Sequence, residues 1–278
     1  MTIDEIILKA LREDIGEGDH TSLSTIPANA QGNARLLVKE EGVLAGVDIA
    51  RKVFFHTDER ILMEQFIEDG TRVKVGDIAF EVSGPSIALL TAERTVLNFM
   101  QRMSGIATQT RLIVDAIEGF PTKILDTRKT TPLLREIEKM AVRLGGGFNH
   151  RFGLYDMILI KDNHVDFAGG IVNAITACNE YMKRKGLHLD IEIEARNLDE
   201  VKQILEHGGV NRIMLDNFSF DMLRQAVSLI GSVYETEASG GITLQTVRQY
   251  AECGVDFISV GALTHHINSL DLSLKAVK

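Results

Sequence analysis

The stretch Lys123–His164, KILDTRKTTPLLREIEKMAVRLGGGFNHRFGLYDMILIKDNH, determines the fold class. It predicts a strand, a turn, a helix, a glycine-rich loop and a second strand, and this order of elements is typical of an α/β protein. Basic side chains stand at the strand ends and in the loop: Arg128, Lys129, His150, Arg151 and Lys161. Because these cations lie on turns rather than along one helix face, they indicate a pocket for a small anion with several charges.

Composition excludes several classes of protein. The chain has 278 residues, 45% of them hydrophobic and 25% charged, as in an ordinary globular protein. Its formal net charge of -9 argues against a general nucleic-acid surface. Cys178 and Cys253 lie far apart and match no metal-binding spacing, which favours a reducing cytosol. We find neither a signal-peptide pattern nor an apolar run of about 20 residues, so we expect a cytoplasmic protein with no membrane or nucleic-acid partner.

The first part of the chain predicts a small α+β layer. Thr2 and Glu5 match a capping box at the start of an amphipathic helix. Strand patterns with hairpin-like spacing follow at 33–40, 43–46, 59–70 and 77–84, and a short helix is expected at 48–57. Residues 85–119 then predict a long, largely apolar helix that links two domains.

From Lys123 onward, strand patterns alternate with helical patterns. The strand patterns are KILDT, DMILIKD, LDIEIEA, RIMLDN, VYETEASG and DFISVGA. The helical patterns between them cover 132–144, 166–185, 197–208, 219–230 and 242–253. Short, buried strands with helical crossovers predict a parallel sheet, and about six such units favour a TIM-like α/β barrel with fewer than eight strands. An open doubly wound sheet is the alternative, although no GxGxxG follows a strand.

Polar residues collect at the carboxyl ends of these strands, where α/β barrels build their sites. In chain order they are Asp126, Arg128, Lys129, Lys161, Asp162, Glu194, Asp216, Asn217, Glu237 and Gly261. In DIEIEA, the acids Glu192 and Glu194 share one face because side chains alternate along a strand. Glu194 is the better candidate for chemistry because it lies nearer the carboxyl end, and Glu192 is expected to be a buried structural partner.

Glycine turns follow the last two strands, in ASGGIT and SVGALT. A helix beginning near Thr243 would aim its first N–H groups at an anion. Such turns hold a substrate phosphate in many TIM barrels, although a pair of tight βα turns would leave the same pattern. Beside a phosphate, Glu194 and Asp216 suit ribose hydroxyls or Mg²⁺. A zinc site is not expected, since the histidines show no ligand spacing with cysteine.

The motifs, taken together, are specific. They are EDIGEGDHTS, ERTVLNFMQRMSGIAT, DTRKTTP, GGGFNHRFGLYDMILIKDNH, IEIEA, IMLDNF and ASGGI. In this order they resemble the quinolinate phosphoribosyltransferases, and the resemblance covers nearly the whole chain. It implies phosphoribosyl transfer from phosphoribosyl pyrophosphate to quinolinate with decarboxylation, giving nicotinate mononucleotide, pyrophosphate and CO₂ for NAD biosynthesis. It also implies Mg²⁺ as cofactor and a homodimer, which some members assemble further into a hexamer.

The resemblance also implies roles for residues of this chain. Those matching the site for the quinolinate carboxylates and the phosphoribosyl donor are Thr127, Arg128, His150, Arg151 and Lys161. Lys129 matches the lysine that reaches the donor's pyrophosphate, and Glu194 and Asp216 match the acids that meet ribose hydroxyls and metal. The turns for the 5′-phosphate match Ser239, Gly240, Gly241 and Gly261.

The ERT motif makes Arg94, rather than Arg102, the arginine that is donated across the dimer interface in this family. The implied catalytic groups are Lys129, Lys161, Glu194 and Asp216. The implied architecture is an N-terminal α+β sandwich domain over 1–110, including the linking helix, and an incomplete barrel over 111–278. We expect a C-terminal helix to pack back on the N-terminal domain.

Other functions remain open on the sequence. A Schiff-base aldolase or decarboxylase would use Lys161 as its nucleophile. A relative of the family could act on another pyridine or base and keep the motifs for the phosphoribosyl donor. A module that only binds a phosphometabolite would leave Glu194, Asp216 and the cations without a joint purpose.

Overall fold

The computed structural model describes residues 1–277, which form two compact units. The first unit contains Met1–Arg111, Thr130–Gly146 and the segment from Leu263 onward. The second contains Leu112–Lys129 and Gly147–Ala262. The division expected from the sequence, at 110/111, stays a prediction about folding domains. Within the described part of the chain, no helix combines the length and apolar character that a membrane span requires.

The elements are numbered in chain order. The helices are α1 Ile3–Ile15, α2 His20–Thr25, α3 Val47–Thr57, α4 Ser86–Ala116, α5 Arg135–Leu144, α6 Asp162–Ala168, α7 Ile171–Lys185, α8 Leu198–His207, α9 Phe220–Ile230, α10 Val247–Glu252 and α11 Ala262–His265. The strands are β1 Gln31–Val38, β2 Gly42–Val43, β3 Leu62–Gln65, β4 Arg72–Val73, β5 Ile78–Pro85, β6 Lys123–Leu125, β7 Ile158–Ile160, β8 Ile191–Ala195, β9 Arg212–Asp216, β10 Glu235–Ser239, β11 Phe257–Ser259 and β12 Leu272–Val277.

The first unit contains a four-stranded antiparallel sheet in the order β12-β1-β5-β3. The capping box expected at Thr2 and Glu5 is confirmed, because each backbone N–H bonds the other residue's side chain. The buried rings of Phe54 and Phe80 meet edge to face with centroids 6.1 Å apart, in the core between α3 and β5. The expected α+β character of this part is therefore confirmed.

The expected C-terminal helix is wrong. Leu272–Val277 is a strand, β12, which pairs antiparallel with β1 from Asn33 opposite Val277 to Val38 opposite Leu272. The physical reason is a period of two: Leu272 and Leu274 are buried, whereas Ser273 and Lys275 point away from that core. The end of the chain thus completes the first unit's sheet.

The second unit contains a six-stranded parallel sheet in the order β6-β11-β10-β9-β8-β7. Every strand expected from the alternating pattern is present, and the incomplete TIM-like α/β barrel is confirmed. Because the strands are parallel, their carboxyl ends lie on one edge of the sheet, which collects the residues that follow them. Helix α10 begins at Val247 rather than near Thr243, because Thr243 and Thr246 close a turn first: the Thr246 N–H donates to the Thr243 carbonyl at 3.1 Å.

Candidate active site

The loop that carries the Asn-His-Arg motif extends the edge of the sheet at β6. Phe148 donates its N–H to the Ile124 carbonyl at 2.8 Å, and its own carbonyl accepts from the Asp126 N–H at 3.1 Å. The buried Asp126 carboxylate then accepts from the His150 N–H at 2.9 Å and from the Asn149 side chain at 2.5 Å. Backbone pairing with β6 and the carboxylate of Asp126, the residue that follows β6, therefore fix the start of this loop.

The His150 ring turns inward from that loop. Its Nδ1 accepts the Arg151 N–H at 2.7 Å, and its Nε2 lies 2.9 Å from a Glu192 oxygen and 3.6 Å from a Glu237 oxygen. The side chain is only 6% exposed. Both ring nitrogens thus face groups of the protein, and direct contact between His150 and quinolinate stays a prediction.

Glu192 and Glu237 form a buried acid pair on strands β8 and β10, with β9 between them. Burial raises the pKa of Glu192 to about 7, against the opposing effect of Arg212. Burial and the charge of Glu192 together raise the pKa of Glu237 to about 8. Arg212 Nη1 lies 3.1 Å from Glu237 Oε2 and supplies positive charge to the pair. Glu192 is buried, as expected for the acid that lies further from the carboxyl end of β8.

Arg128 and Arg151 lie close enough for their charges to interact. Burial, together with the nearby positive charge of Arg128, lowers the pKa of the Arg151 guanidinium from its usual value. Arg151 is half-buried, and its Nη1 donates to the Met157 carbonyl at 3.3 Å. Two neighbouring guanidinium groups repel each other, so a bound dianion would stabilise the pair.

Lys161, Glu194 and Asp216 bring the ends of β7, β8 and β9 together. Lys161 Nζ lies 3.0 Å from Glu194 Oε1, and the Asp162 N–H donates to Glu194 Oε2 at 3.1 Å. Burial, and then the negative charge of Glu194, raises the pKa of Asp216. The carboxylates of Glu194 and Asp216 therefore repel each other, and the exposed Lys161 lies beside Glu194.

Gly240 is required by close packing of the turn after β10. Its φ is +101°, and a Cβ there would collide with the Asn217 side chain and lie 3.0 Å from the Asn217 nitrogen. Asn217 itself has a φ of +56° and donates its N–H to the Ser239 carbonyl at 2.9 Å. Since Ser239 pairs with Asp216 in the β9–β10 register, the turn lies beside the acids.

The helix part of the expected phosphate site needs correcting. Helix α10 has six residues and begins at Val247, after the Thr243–Thr246 turn, so its N-terminus does not follow the glycines directly. The glycine turn remains: Gly241 has a φ of +61°, and among the described residues beyond its neighbours no atom lies within 4 Å of where a Cβ would stand. Phosphate binding at Ser239, Gly240, Gly241 and Gly261 stays a prediction, now supported by the turns alone.

The remaining predicted residues lie in two places. Lys129 is exposed after β6, where its N–H donates to the Thr127 hydroxyl at 3.1 Å. Arg94 is exposed on α4 in the first unit. Arg102, on the same helix, instead donates to Glu138 at 2.6 Å and to Thr131 at 2.7 Å. Arg102 thus has partners within its own unit, and the donation of Arg94 to a partner chain stays a prediction.

The sequence interpretation missed the link between His150 and the acid pair. Glu237 was noted only as a strand end, and Arg212 was not singled out. Strand parity could have placed Glu237 on the face of Ser239, since these residues are two apart on β10. The loop that carries His150 has no periodic pattern, so its sequence could not show that the His150 ring lies beside Glu192 and Glu237.

Two groups of side chains could hold a divalent cation. Glu194 and Asp216 offer neighbouring carboxylates at the strand ends, and mutual repulsion already affects Asp216, which fits the hard oxygen ligands that Mg²⁺ prefers. His150, Glu192 and Glu237 present ligand atoms within 4.8 Å of one another, but Arg212 already contacts this group. Burial also raises the pKa values of Glu192 and Glu237 to about 7 and about 8, which weakens them as ligands at neutral pH, so Glu194 and Asp216 are the residues that better fit the ion.

A cavity of about 330 Å³ lies against β7 in the second unit. Arg151 and His164 contribute polar groups to its wall, while Leu159, Ile160 and Cys178 are among its apolar neighbours. Lys161, Glu194 and Asp216 do not line it. An apolar wall of this kind suits neither a dicarboxylate nor a phosphate, so the charged strand ends remain the candidate site.

Comparisons with known proteins identify the family of this chain. A family model described as quinolinate phosphoribosyl transferase, N-terminal domain, matches residues 19–104, and the model for the C-terminal domain matches residues 106–275. The chain is 48% identical to a chloroplastic nicotinate-nucleotide pyrophosphorylase [carboxylating] of Arabidopsis thaliana, over 97% of this chain and 81% of that protein. It is 44% identical to a probable nicotinate-nucleotide pyrophosphorylase [carboxylating] of Bacillus subtilis, over 94% and 89% of the two chains.

Solved structures also match the chain. The crystal structure of NadC from Streptococcus pyogenes matches with a TM-score of 0.94 and 38% identity, over 99% of this chain and 97% of that one. A nicotinate-nucleotide pyrophosphorylase from Francisella tularensis matches with a TM-score of 0.93 and 40% identity, over 99% and 96%. The family models cover both parts of the chain, and the identities exceed what a shared fold alone would give. The chain therefore belongs to the quinolinate phosphoribosyl transferase family.

Proposed function

We propose that this protein transfers the phosphoribosyl group of phosphoribosyl pyrophosphate to quinolinate and releases CO₂. The products are nicotinate mononucleotide and pyrophosphate, a step of NAD biosynthesis catalysed by a pentosyltransferase. Family membership supports this activity. The observation that carries it is the meeting of a guanidinium pair, a lysine and two carboxylates at one edge of the parallel sheet. The guanidinium groups fit quinolinate, which is a dianion, and the carboxylates fit the ribose, on which positive charge develops during transfer.

Quinolinate binding is assigned to the basic side of the site. Quinolinate is a dianion at neutral pH, and the planar forks of Arg128 and Arg151 match its carboxylates. Binding a dianion relieves the repulsion between these guanidinium groups, which supplies part of the affinity. His150 belongs to this side through its contact with the Arg151 backbone.

Ribosyl transfer is assigned to the lysines and acids. As pyrophosphate leaves, Lys129 stabilises its negative charge, while Glu194 and Asp216 stabilise the positive charge that develops on the ribose. The pyridine nitrogen of quinolinate then attacks the sugar carbon, so the chain needs no nucleophile of its own. Glu194 and Asp216 would hold Mg²⁺, directly or through ribose or water, and the ion when bound neutralises charge on the pyrophosphate. The turns at Ser239, Gly240, Gly241 and Gly261 hold the 5′-phosphate.

Decarboxylation follows ribosyl transfer in this proposal. Once the ring nitrogen carries the ribose it is positively charged and stabilises the electron pair that the departing carboxylate leaves on C2. A proton then replaces the carboxylate at C2. Lys161 and Arg151 orient the ring and need not react covalently. The Schiff-base alternative loses support, because Lys161 lies in an ion pair with Glu194 rather than in an apolar pocket.

We assign the working assembly as a homodimer in which Arg94 of each chain completes the site of the other, and which can assemble further into a hexamer. Two observations support an interface. Arg94 is exposed on α4, and the second unit exposes Leu154, Tyr155 and Phe167, which are 71%, 72% and 91% accessible. A cytoplasmic location also stays a proposal, because the Arabidopsis relative is named chloroplastic.

The direct test is a product assay. The purified protein is mixed with quinolinate, phosphoribosyl pyrophosphate and Mg²⁺, and nicotinate mononucleotide is followed by chromatography. Formation of the nucleotide from quinolinate supports the proposal. Product from nicotinate but not from quinolinate would move the assignment to a relative acting on another pyridine, and binding without any product would favour a phosphometabolite-binding module.

A further inference from the structure

A buried polar network lies behind the loop of Arg151, and its two acids lie outside the substrate contacts assigned above. Its members are His150 in the loop, Glu192 on β8, Arg212 on β9 and Glu237 on β10, all within the second unit. Glu192 and Glu237 are fully buried, and the His150 side chain is 6% exposed. No step of the proposed reaction requires two acids at this depth, so their presence calls for another explanation.

The contacts form a continuous chain that ends on the backbone of Arg151. The Arg151 N–H donates to His150 Nδ1 at 2.7 Å. Since Nδ1 accepts, the proton of a neutral ring is on Nε2, which lies 2.9 Å from Glu192 Oε2 and 3.6 Å from Glu237 Oε2. Arg212 Nη1 lies 3.1 Å from Glu237 Oε2 and anchors the far end.

The same histidine is held from its other side. The Asp126 carboxylate accepts the His150 backbone N–H at 2.9 Å, so the residue is fixed both at its backbone and at its ring. Rotating the ring would separate Nε2 from the acids and Nδ1 from the Arg151 N–H at once. The network therefore restricts the backbone at Arg151, whose guanidinium lies beside Arg128.

Packing alone does not account for the two acids. Leucine side chains of similar size would fill the space without the cost of removing carboxyl groups from water, and replacing buried charged groups by apolar ones is often neutral or stabilising. Around bound metal ions, buried partners that orient a ligating side chain commonly matter tenfold or more for affinity or activity, and a residue that binds an anion is oriented by the same kind of contact. The position of the acids thus fits orientation of the site better than stabilisation of the fold.

We propose that Glu192 and Glu237 are positioning residues for quinolinate: their carboxyl groups face His150 Nε2 and favour the tautomer with its proton there, and His150 in turn fixes the backbone that presents Arg151. This inference rests on the proposed function, because Arg151 is the assigned carboxylate ligand. The two acids touch no substrate in this account. Their effect should therefore fall on the binding of quinolinate rather than on the binding of phosphoribosyl pyrophosphate.

The test compares Glu192→Leu with Glu192→Gln in the full-length protein. The glutamine keeps a polar oxygen beside His150 Nε2, whereas leucine removes it. For Glu192→Leu we expect the KM for quinolinate to rise about tenfold or more while the KM for phosphoribosyl pyrophosphate changes by less than about twofold. Glu192→Gln should restore most of the quinolinate affinity. Glu235→Gln is the matched control, since Glu235 contacts Arg212 at 2.9 Å on the same strand as Glu237.

A second measurement keeps the inference testable if the leucine variant folds poorly. Nitrogen-15 NMR of labelled histidine should show His150 as the Nε2–H tautomer in the wild type and in Glu192→Gln, and as a tautomer mixture in Glu237→Leu. An Nδ1–H ring in the wild type, equal increases of both KM values, or a tightly bound metal ion that disappears in Glu237→Leu would each overturn the inference. A wild type without turnover would instead overturn the proposed function, and the NMR result would stand apart from it.

Discussion

Glu192 and Glu237 should make the stability of this protein depend on pH. Burial raises their pKa values from 4.5 to about 7 and about 8, so the folded chain retains protons that the unfolded chain has already released. The free energy of unfolding should therefore decrease as the pH rises from about 4.5 to 8, by up to about 1.4 kcal/mol per pH unit for each retained proton.

Urea unfolding at several pH values between about 5.5 and 7.5 checks this dependence. Glu237→Gln cannot titrate at this position, so its free energy of unfolding should decrease less steeply with pH than that of the wild type. Identical slopes for the two proteins would show that the pair does not retain a proton in the folded state.

For individual residues, the sequence predicted which face of strand β8 its acids occupy, but not the direction of the His150 ring in the loop before β7. Alternation in DIEIEA placed Glu192 and Glu194 on one face, and nearness to the carboxyl end of the strand favoured Glu194 as the site residue. The structure places Glu194 against Lys161 and Glu192 against His150. His150 was grouped with the cations because its neighbours are basic. Its ring direction depends on Asp126 and on strands distant in sequence, which no local pattern reports.

Among the secondary-structure elements and their connections, the turn after β10 should be intolerant of a side chain. Gly240→Ala places a Cβ against Asn217 in addition to the strain of a φ of +101°. We expect the KM for phosphoribosyl pyrophosphate to rise about tenfold or more, because the turn assigned to the 5′-phosphate must move. Gly231→Ala is the matched control: its φ is +58°, but no described atom beyond its neighbours lies within 4 Å of the added carbon. Equal effects of the two variants on this KM would exclude a special role for Gly240.

Strand β12 should contribute to the stability of the first unit. Leu274 is 6% exposed and pairs with Leu36 on β1, so Leu274→Ala should lower the free energy of unfolding by about 2–4 kcal/mol. Lys275→Ala, at an exposed position of the same strand, should change it by less than about 0.5 kcal/mol. Urea denaturation measures both, and an equal loss in the two variants would contradict the packing described for β12.

Elements with a clear period were predictable from the sequence. All six strands of the second unit were expected, since short apolar runs bounded by polar residues alternate with helical patterns. Strand β12 was expected as a helix, because its partner β1 lies far earlier in the chain, with Asn33 opposite Val277, and pairing at that distance leaves no local signal. Helix α10 begins late because Thr243 and Thr246 favour a turn over a helical start.

For the molecule as a whole, the proposed dimer predicts complementation between two inactive variants. Arg94→Ala and Arg151→Ala homodimers should each be nearly inactive. If Arg94 serves the partner's site, random mixing gives heterodimers with one intact site, and activity should recover to about one quarter of the wild type. Absence of recovery after demonstrated subunit exchange would mean that Arg94 acts within its own chain or has no role in the site.

The order of the chemistry follows from the charge of the ring nitrogen, and it supplies the most direct test of the proposed function. Quinolinate labelled in its C2 carboxylate is incubated with the protein and Mg²⁺, with and without phosphoribosyl pyrophosphate, and released CO₂ is counted. We predict release only when the phosphoribosyl donor is present, in amounts equal to the nicotinate mononucleotide formed. Release of CO₂ without the donor, or nucleotide formation without CO₂, would contradict the account.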